Sequence, residues 1–92
     1  MKYTLVFSRI ALADIEMHKK SGNKALLKKI EILLNELMEH PKTGTGKPEK
    51  LKHQMTGLYS RRINQMHRVV YSIDENKVTV HVLSAWSHYR DK

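Results

Sequence analysis

Glu49 is the single carboxylate in a strongly basic stretch, with Lys47, Lys50 and Lys52 around it. Cationic neighbours favour an ionised carboxylate, and an ionised, positioned carboxylate can serve as a general base. From context alone, a surface glutamate that balances local charge accounts for it better. His88-Tyr89 lies almost at the chain end, beside Trp86. A histidine can donate or accept a proton near neutral pH, and a tyrosine can stack on a base or orient a phosphate. An aromatic patch that closes the core at the C-terminus explains the pair equally well. Arg61, Arg62 and Arg68 fall on two adjacent strand segments, where planar guanidinium forks could converge on one phosphate. Neighbouring strand positions point to opposite faces, so one of Arg61 and Arg62 is expected to serve a site and the other to bind elsewhere.

Other catalytic templates have little to build on. The chain has no cysteine, which removes thiolate nucleophiles, thiolate zinc sites and a disulfide framework. It has no Gly-rich phosphate loop and no His/carboxylate spacing typical of zinc enzymes, and no two of its histidines form a convincing ligand pair. What remains is an acid, a base and cations. The formal net charge is +8, from 17 Lys and Arg against 9 Asp and Glu. Residues 41–72 concentrate it, with Lys42, Lys47, Lys50, Lys52, Arg61, Arg62 and Arg68 against Glu49 alone. Such a block points to a polyanionic partner, because neutralising phosphates releases counterions; a merely solvated face is the plain alternative.

The elements that must position these residues are readable from pattern. Residues 2–7 are rich in β-formers and predict a first strand, followed by Ser8 as a helix N-cap. From Arg9 to about Lys20, Ile10, Ala13 and Met17 recur at helical spacing as the expected apolar face, and Ser21-Gly22-Asn23 breaks the helix. Leu26, Leu27, Ile30, Leu33, Leu34, Leu37 and Met38 predict a second amphipathic helix that Pro41 ends. Residues 41–57 hold both prolines and three of the four glycines, and predict an irregular excursion of the kind that carries function. Strands are expected at 58–64, 67–73 and 78–87, the last two joined by the polar turn Asp74-Glu75-Asn76-Lys77. The predicted order is β-α-α-β-β-β, an α+β fold with two helices packed on one face of a small, mainly antiparallel sheet. At 92 residues a single domain spanning 1–92 is expected. No signal-peptide pattern and no apolar run near the roughly 20 residues of a bilayer span is present, so a cytoplasmic location is the default expectation.

Several fragments in order carry a resemblance: Gly46-Lys47-Pro48-Glu49, Leu51-Lys52-His53, Gly57, Ser60-Arg61-Arg62-Ile63, His67-Arg68-Val69-Val70-Tyr71 and the terminal His88-Tyr89. Together they resemble the YoeB/Txe family of the RelE/ParE toxin superfamily over nearly the whole chain. The resemblance implies a RelE-like microbial RNase fold and the toxin half of a type II toxin–antitoxin pair, which enters the ribosomal A site and cleaves mRNA there. A ribose 2′-hydroxyl would attack the adjacent phosphate, with no metal or other cofactor. Glu49 would then be the general base, Arg68 the cation that stabilises the charged phosphate, His88 the acid for the leaving 5′-oxygen, and Tyr89 an aid in positioning RNA. Lys47, Lys52, His53, Arg61 and Arg62 would form the RNA-contact surface, with His67 a further candidate contact. The implied partners are the ribosome with its mRNA and a cognate YefM/Axe-like antitoxin, acidic and partly disordered; family members can also form homodimers. No membrane partner is expected. Two departures stand out: Arg90-Asp91-Lys92 continue past the terminal His-Tyr, and Tyr59 stands where the family commonly has tryptophan. Rival readings are a non-catalytic RNA- or ribosome-binding protein and a same-fold toxin acting on another target such as DNA gyrase.

Overall fold

In the computed structural model, which describes residues 2–86, the first strand β1 (Thr4–Phe7) leads through Ser8 into α1 (Arg9–Ser21). The Ser8 hydroxyl accepts the Ala11 N–H at 2.9 Å and donates to Leu83 O at 2.8 Å, so one side chain caps the helix and ties it to a distant strand. Gly22 closes α1 in the left-handed region at φ 75°, where a side chain is strained. Asn23 then caps α2 (Lys24–Glu39) by accepting the Leu26 N–H.

The remaining strands are β2 (Glu49–Lys50), β3 (Leu58–Arg62), β4 (Arg68–Asp74) and β5 (Thr79–Ser84), with a single 3-10 turn over His53–Met55 between β2 and β3. They form a five-stranded sheet in the order β1-β5-β4-β3-β2. Among the described residues only β1 with β5 is parallel, and the other pairings are antiparallel. The expected α+β fold is therefore what the chain adopts, with one strand more than the sequence pattern predicts: two-residue β2 emerges inside the excursion at 41–57, too short to leave a periodic signature. β3 and β5 are shorter than expected, ending at Arg62 and Ser84, while β4 has the expected length and lies one residue later, at Arg68–Asp74.

Pleating sorts the sheet residues into two faces. Tyr59 pairs with Tyr71, Arg61 with Val69 and Tyr71 with Val82, and these join Leu26, Ile30, Leu33 and Leu37 of α2 in the core. Glu49 pairs with Ser60, Ser60 with Val70 and Arg62 with Arg68, which puts Glu49, Ser60, Arg62 and Arg68 together on the opposite face.

Helix α1 corrects its sequence reading. Ala11, Asp14 and His18 are buried, whereas Ile10 and Met17 of the expected apolar face are 64% and 42% exposed. Polar groups were not expected inside, but Asp14 and His18 Nε2 find hydrogen-bond partners on Ala85, which offsets part of the cost of burying them.

Candidate active site

The route that brings Glu49 to the sheet begins at a buried arginine. Arg61 is 0% exposed. Its Nε donates to Tyr71 Oη at 3.2 Å, Nη1 to Glu36 Oε1 at 2.9 Å, and Nη2 to the carbonyls of His40 and Thr43. Tyr71 Oη in turn donates to Pro41 O at 2.7 Å, and burial pushes this phenol above its ordinary pKa despite the pull of Arg61. Glu36 completes the lock: Thr45 donates to it from both N–H and hydroxyl, each at 2.7 Å. Those bonds, the Thr45 hydroxyl first, together with Arg61 hold the Glu36 carboxyl below its ordinary range. An irregular backbone with few regular partners is thus fixed by one guanidinium and one carboxylate.

The loop then lies directly on β3, where Arg62 N donates to Gly46 O at 2.7 Å. Gly46 has φ 87°, and a Cβ there would sit 2.7 Å from Arg62 O, so both conformation and space require glycine. Lys47 (φ 51°) and His53 (φ 60°) hold left-handed backbone without being glycine and bracket Glu49 on either side. Strain of this sort is tolerated where surrounding structure over-determines it, and it collects at functional segments.

On the face opposite α2, Arg68 Nη1 lies 3.5 Å from Glu49 Oε1 and donates to Ser60 Oγ at 3.2 Å. The Glu49 side chain is 60% exposed and that of Arg68 19%, so the carboxylate is reachable while the guanidinium is held. Glu49 and Arg68, two of the residues singled out in the sequence, are thus neighbours in the fold. Lys47, Lys52, His53 and Arg62 are all exposed, on the segments flanking Glu49 and on β3, and Lys47 and Arg62 also line an open groove with Lys29, Ile63, Asn64 and Gln65.

Two expected contacts are corrected. Arg61 cannot meet RNA from its interior position; its role is to hold the loop. His67 is 6% exposed and packs edge-on against the His18 ring, with centroids 4.7 Å apart. Of the arginine pair it is Arg62 that faces outward, as alternation demands of one of them. Sequence reasoning missed Glu36, Tyr71 and Thr45 as the supports of the loop; an inward-facing arginine on a strand of known register would have been the signal. Tyr59, at the position that departs to tyrosine, stacks on Tyr71 with centroids 5.7 Å apart, so it packs against the interior. His88 and Tyr89 lie outside the described residues. Among the described residues no group of three or more His, Asp or Glu is placed to hold a metal ion, and no helix is long and apolar enough to cross a membrane.

Against known proteins, residues 7–89 match the family described as YoeB-like toxin of bacterial type II toxin-antitoxin system. A toxin YoeB from Synechocystis sp. is 36% identical over 86 residues, covering 89% of this chain and 98% of the relative. Among solved structures, a YoeB/ParE toxin from Agrobacterium tumefaciens superposes with a TM-score of 0.86 at 32% identity, over 94% of this chain and 99% of that one. Staphylococcus aureus YoeB, solved as a dimer, gives 0.79 at 39% identity over 97% and 100% of the two chains. In a heterotetrameric complex with YefM it gives 0.78 at 38% identity, with the same coverage.

Proposed function

Because the chain belongs to the family of YoeB-like toxins of bacterial type II toxin–antitoxin systems, we propose that it is a ribosome-dependent endoribonuclease that cuts mRNA in the A site by acid–base catalysis. The observation that carries this reading is the Glu49–Arg68 pair, 3.5 Å apart on the sheet face opposite α2, with an exposed carboxylate and exposed basic residues on the neighbouring segments.

Cleavage by a neighbouring 2′-hydroxyl needs a base to take its proton, a cation where charge builds on the phosphate, and an acid for the departing 5′-oxygen. Glu49 takes the proton. Arg68 faces the non-bridging oxygens; an arriving phosphate replaces the carboxylate as partner of the guanidinium and releases Glu49 to the hydroxyl. His88 gives a proton to the 5′-oxygen, and Tyr89 steadies the RNA. Lys47, Lys52, His53 and Arg62 contact the flanking backbone. The products are a 2′,3′-cyclic phosphate and a free 5′-hydroxyl.

The partners follow the same reading: the ribosome with its mRNA, and an acidic, partly disordered YefM/Axe-like antitoxin. The Staphylococcus aureus relative assembles with YefM, and a chain of net charge +8 suits an acidic segment. Homodimer formation, as in the relative solved as a dimer, belongs to this reading too.

Toeprinting in a purified translation system tests it. Wild-type protein should truncate mRNA at the A site, while Glu49→Gln, Arg68→Ala and His88→Ala should each abolish most truncation. Unchanged truncation by all three variants would sink the mechanism, and no truncation by wild type would sink the nuclease reading itself.

A further inference from the structure

Ala85, the first residue after β5, has both of its backbone polar groups held by side chains of α1. Its N–H donates to Asp14 Oδ2 at 2.9 Å, and its carbonyl lies 2.7 Å from His18 Nε2, which must therefore carry the proton. Asp14 and His18 are four residues apart, so one helix face presents both. They are 7% and 0% exposed, although the rest of the site gives them no obvious work.

The next residue, Trp86, packs its ring against both His18 (4.7 Å between centroids) and His67 (4.4 Å), and the two histidines meet edge to face. His67 immediately precedes Arg68, and Trp86 stands two residues before His88. The three rings therefore join the segment that carries the phosphate-facing cation to the segment that leads to the acid. Among the described residues, the buried side-chain atoms without a hydrogen-bond partner are His18 Nδ1 and Ser84 Oγ, both beside Ala85. A fold that leaves two polar groups unsatisfied at one spot carries a cost there that packing alone does not require.

We propose that Asp14 and His18 are positioning residues that clamp Ala85 and so fix where the chain leaves β5 toward His88, relative to Arg68. This rests on the nuclease reading above. Acid–base catalysis is sensitive to such placement, since a shift of about 1 Å can cost on the order of 100-fold in rate.

The test compares side chains that differ in reach. The glutamine amide nitrogen in His18→Gln can occupy the place of Nε2 and donate to Ala85 O; His18→Asn is polar but too short. Asp14→Asn keeps an acceptor for the Ala85 N–H, which Asp14→Ala removes. Single-turnover cleavage on mRNA-programmed ribosomes, ribosome affinity, and emission of the sole tryptophan, Trp86, are measured for each full-length protein. The expected result is a loss of roughly 10- to 100-fold in the cleavage rate for His18→Asn and Asp14→Ala. Their ribosome affinity should stay within twofold and their Trp86 emission should change, while His18→Gln and Asp14→Asn cleave within threefold of wild type. If the short variants fold and cleave at the wild-type rate, or if glutamine and asparagine are as damaging as the short replacements, the clamp is structural only and the proposal is overturned. Failure of wild type to cleave overturns the nuclease reading and this proposal with it.

Discussion

Arg61 and Arg62 are adjacent on β3 and live in different environments. Arg61 is enclosed by Tyr71, Glu36 and three loop carbonyls, and Arg62 stands in the open beside Lys47. Removing Arg61 takes the donor away from the His40 and Thr43 carbonyls and from Tyr71 Oη, while the 22%-exposed Glu36 keeps its Thr45 bonds, so Arg61→Ala should cost about 2–4 kcal/mol of stability by denaturant unfolding. Arg62→Ala should stay within about 0.5 kcal/mol in the same measurement. The sequence showed that the two face apart but not which one turns inward, because a charged side chain is expected outside by default and the Glu36 that holds Arg61 is 25 positions away. Glu49 and Arg68 were legible as a candidate pair from type and motif; their contact needed the register of β2 on β3 and of β3 on β4. Under the proposed chemistry, Glu49→Gln keeps size and hydrogen bonding but loses the base. Its cleavage rate should fall by about 10²–10⁴ with ribosome binding unchanged, and a small loss of rate would assign Glu49 to charge balance instead.

The element that decides the geometry is the 40–48 loop, and its supports make its behaviour specific. Gly46→Ala adds a Cβ 2.7 Å from Arg62 O at a left-handed φ, so it should cost about 1–3 kcal/mol and displace Glu49 from Arg68. A parallel loss of stability and of cleavage in that variant is the expected outcome; a fully stable, fully active Gly46→Ala would show that the loop does not set the site. Glu36 gives the loop a pH dependence. Its folded-state pKa lies below the ordinary 4.5, so its contribution is fully present above that value and is lost as pH falls through the folded pKa. The melting-temperature gap between wild type and Glu36→Gln should accordingly be widest above about pH 5 and shrink in more acidic buffer. A gap that widened on acidification would reverse the sign. Helix α2 and the outline of the three longer strands were legible because their periodicity agrees with their burial. Helix α1 was legible as a helix but not in its facing, because its inward side holds Asp14 and His18 while Ile10 and Met17 look outward. A reading based on apolar spacing assumes that the buried face is the apolar one, and hydrogen bonds to Ala85 break that assumption.

Across the whole molecule, the two sheet edges differ in character. At one edge, β2 and the segments on either side of it bring Lys47, Lys50 and Lys52, with Arg62 on β3. At the other edge lies β1 with exposed Val6, and α1, packed over β5 and β1, exposes Ile10, Leu12 and Met17. The +8 charge is therefore arranged, and an arranged charge predicts where salt acts. Each cation that neutralises a backbone phosphate of single-stranded RNA contributes about 0.7 to the slope of log affinity against log salt. Under the proposed function, ribosome association measured between about 50 and 200 mM salt should weaken steeply for wild type. Lys47→Ala and Arg62→Ala should each flatten the slope by roughly 0.7 and lower affinity at low salt. Leu12→Ser, at the apolar edge, should leave the slope unchanged even if it alters association with other proteins. The comparison separates a phosphate-contact surface from a generally cationic one. If every cation in the chain flattened the slope equally, including Lys20 and Lys24 at the α1–α2 junction, attraction would come from net charge alone. The loop and β3 would then lose their standing as the RNA-facing surface.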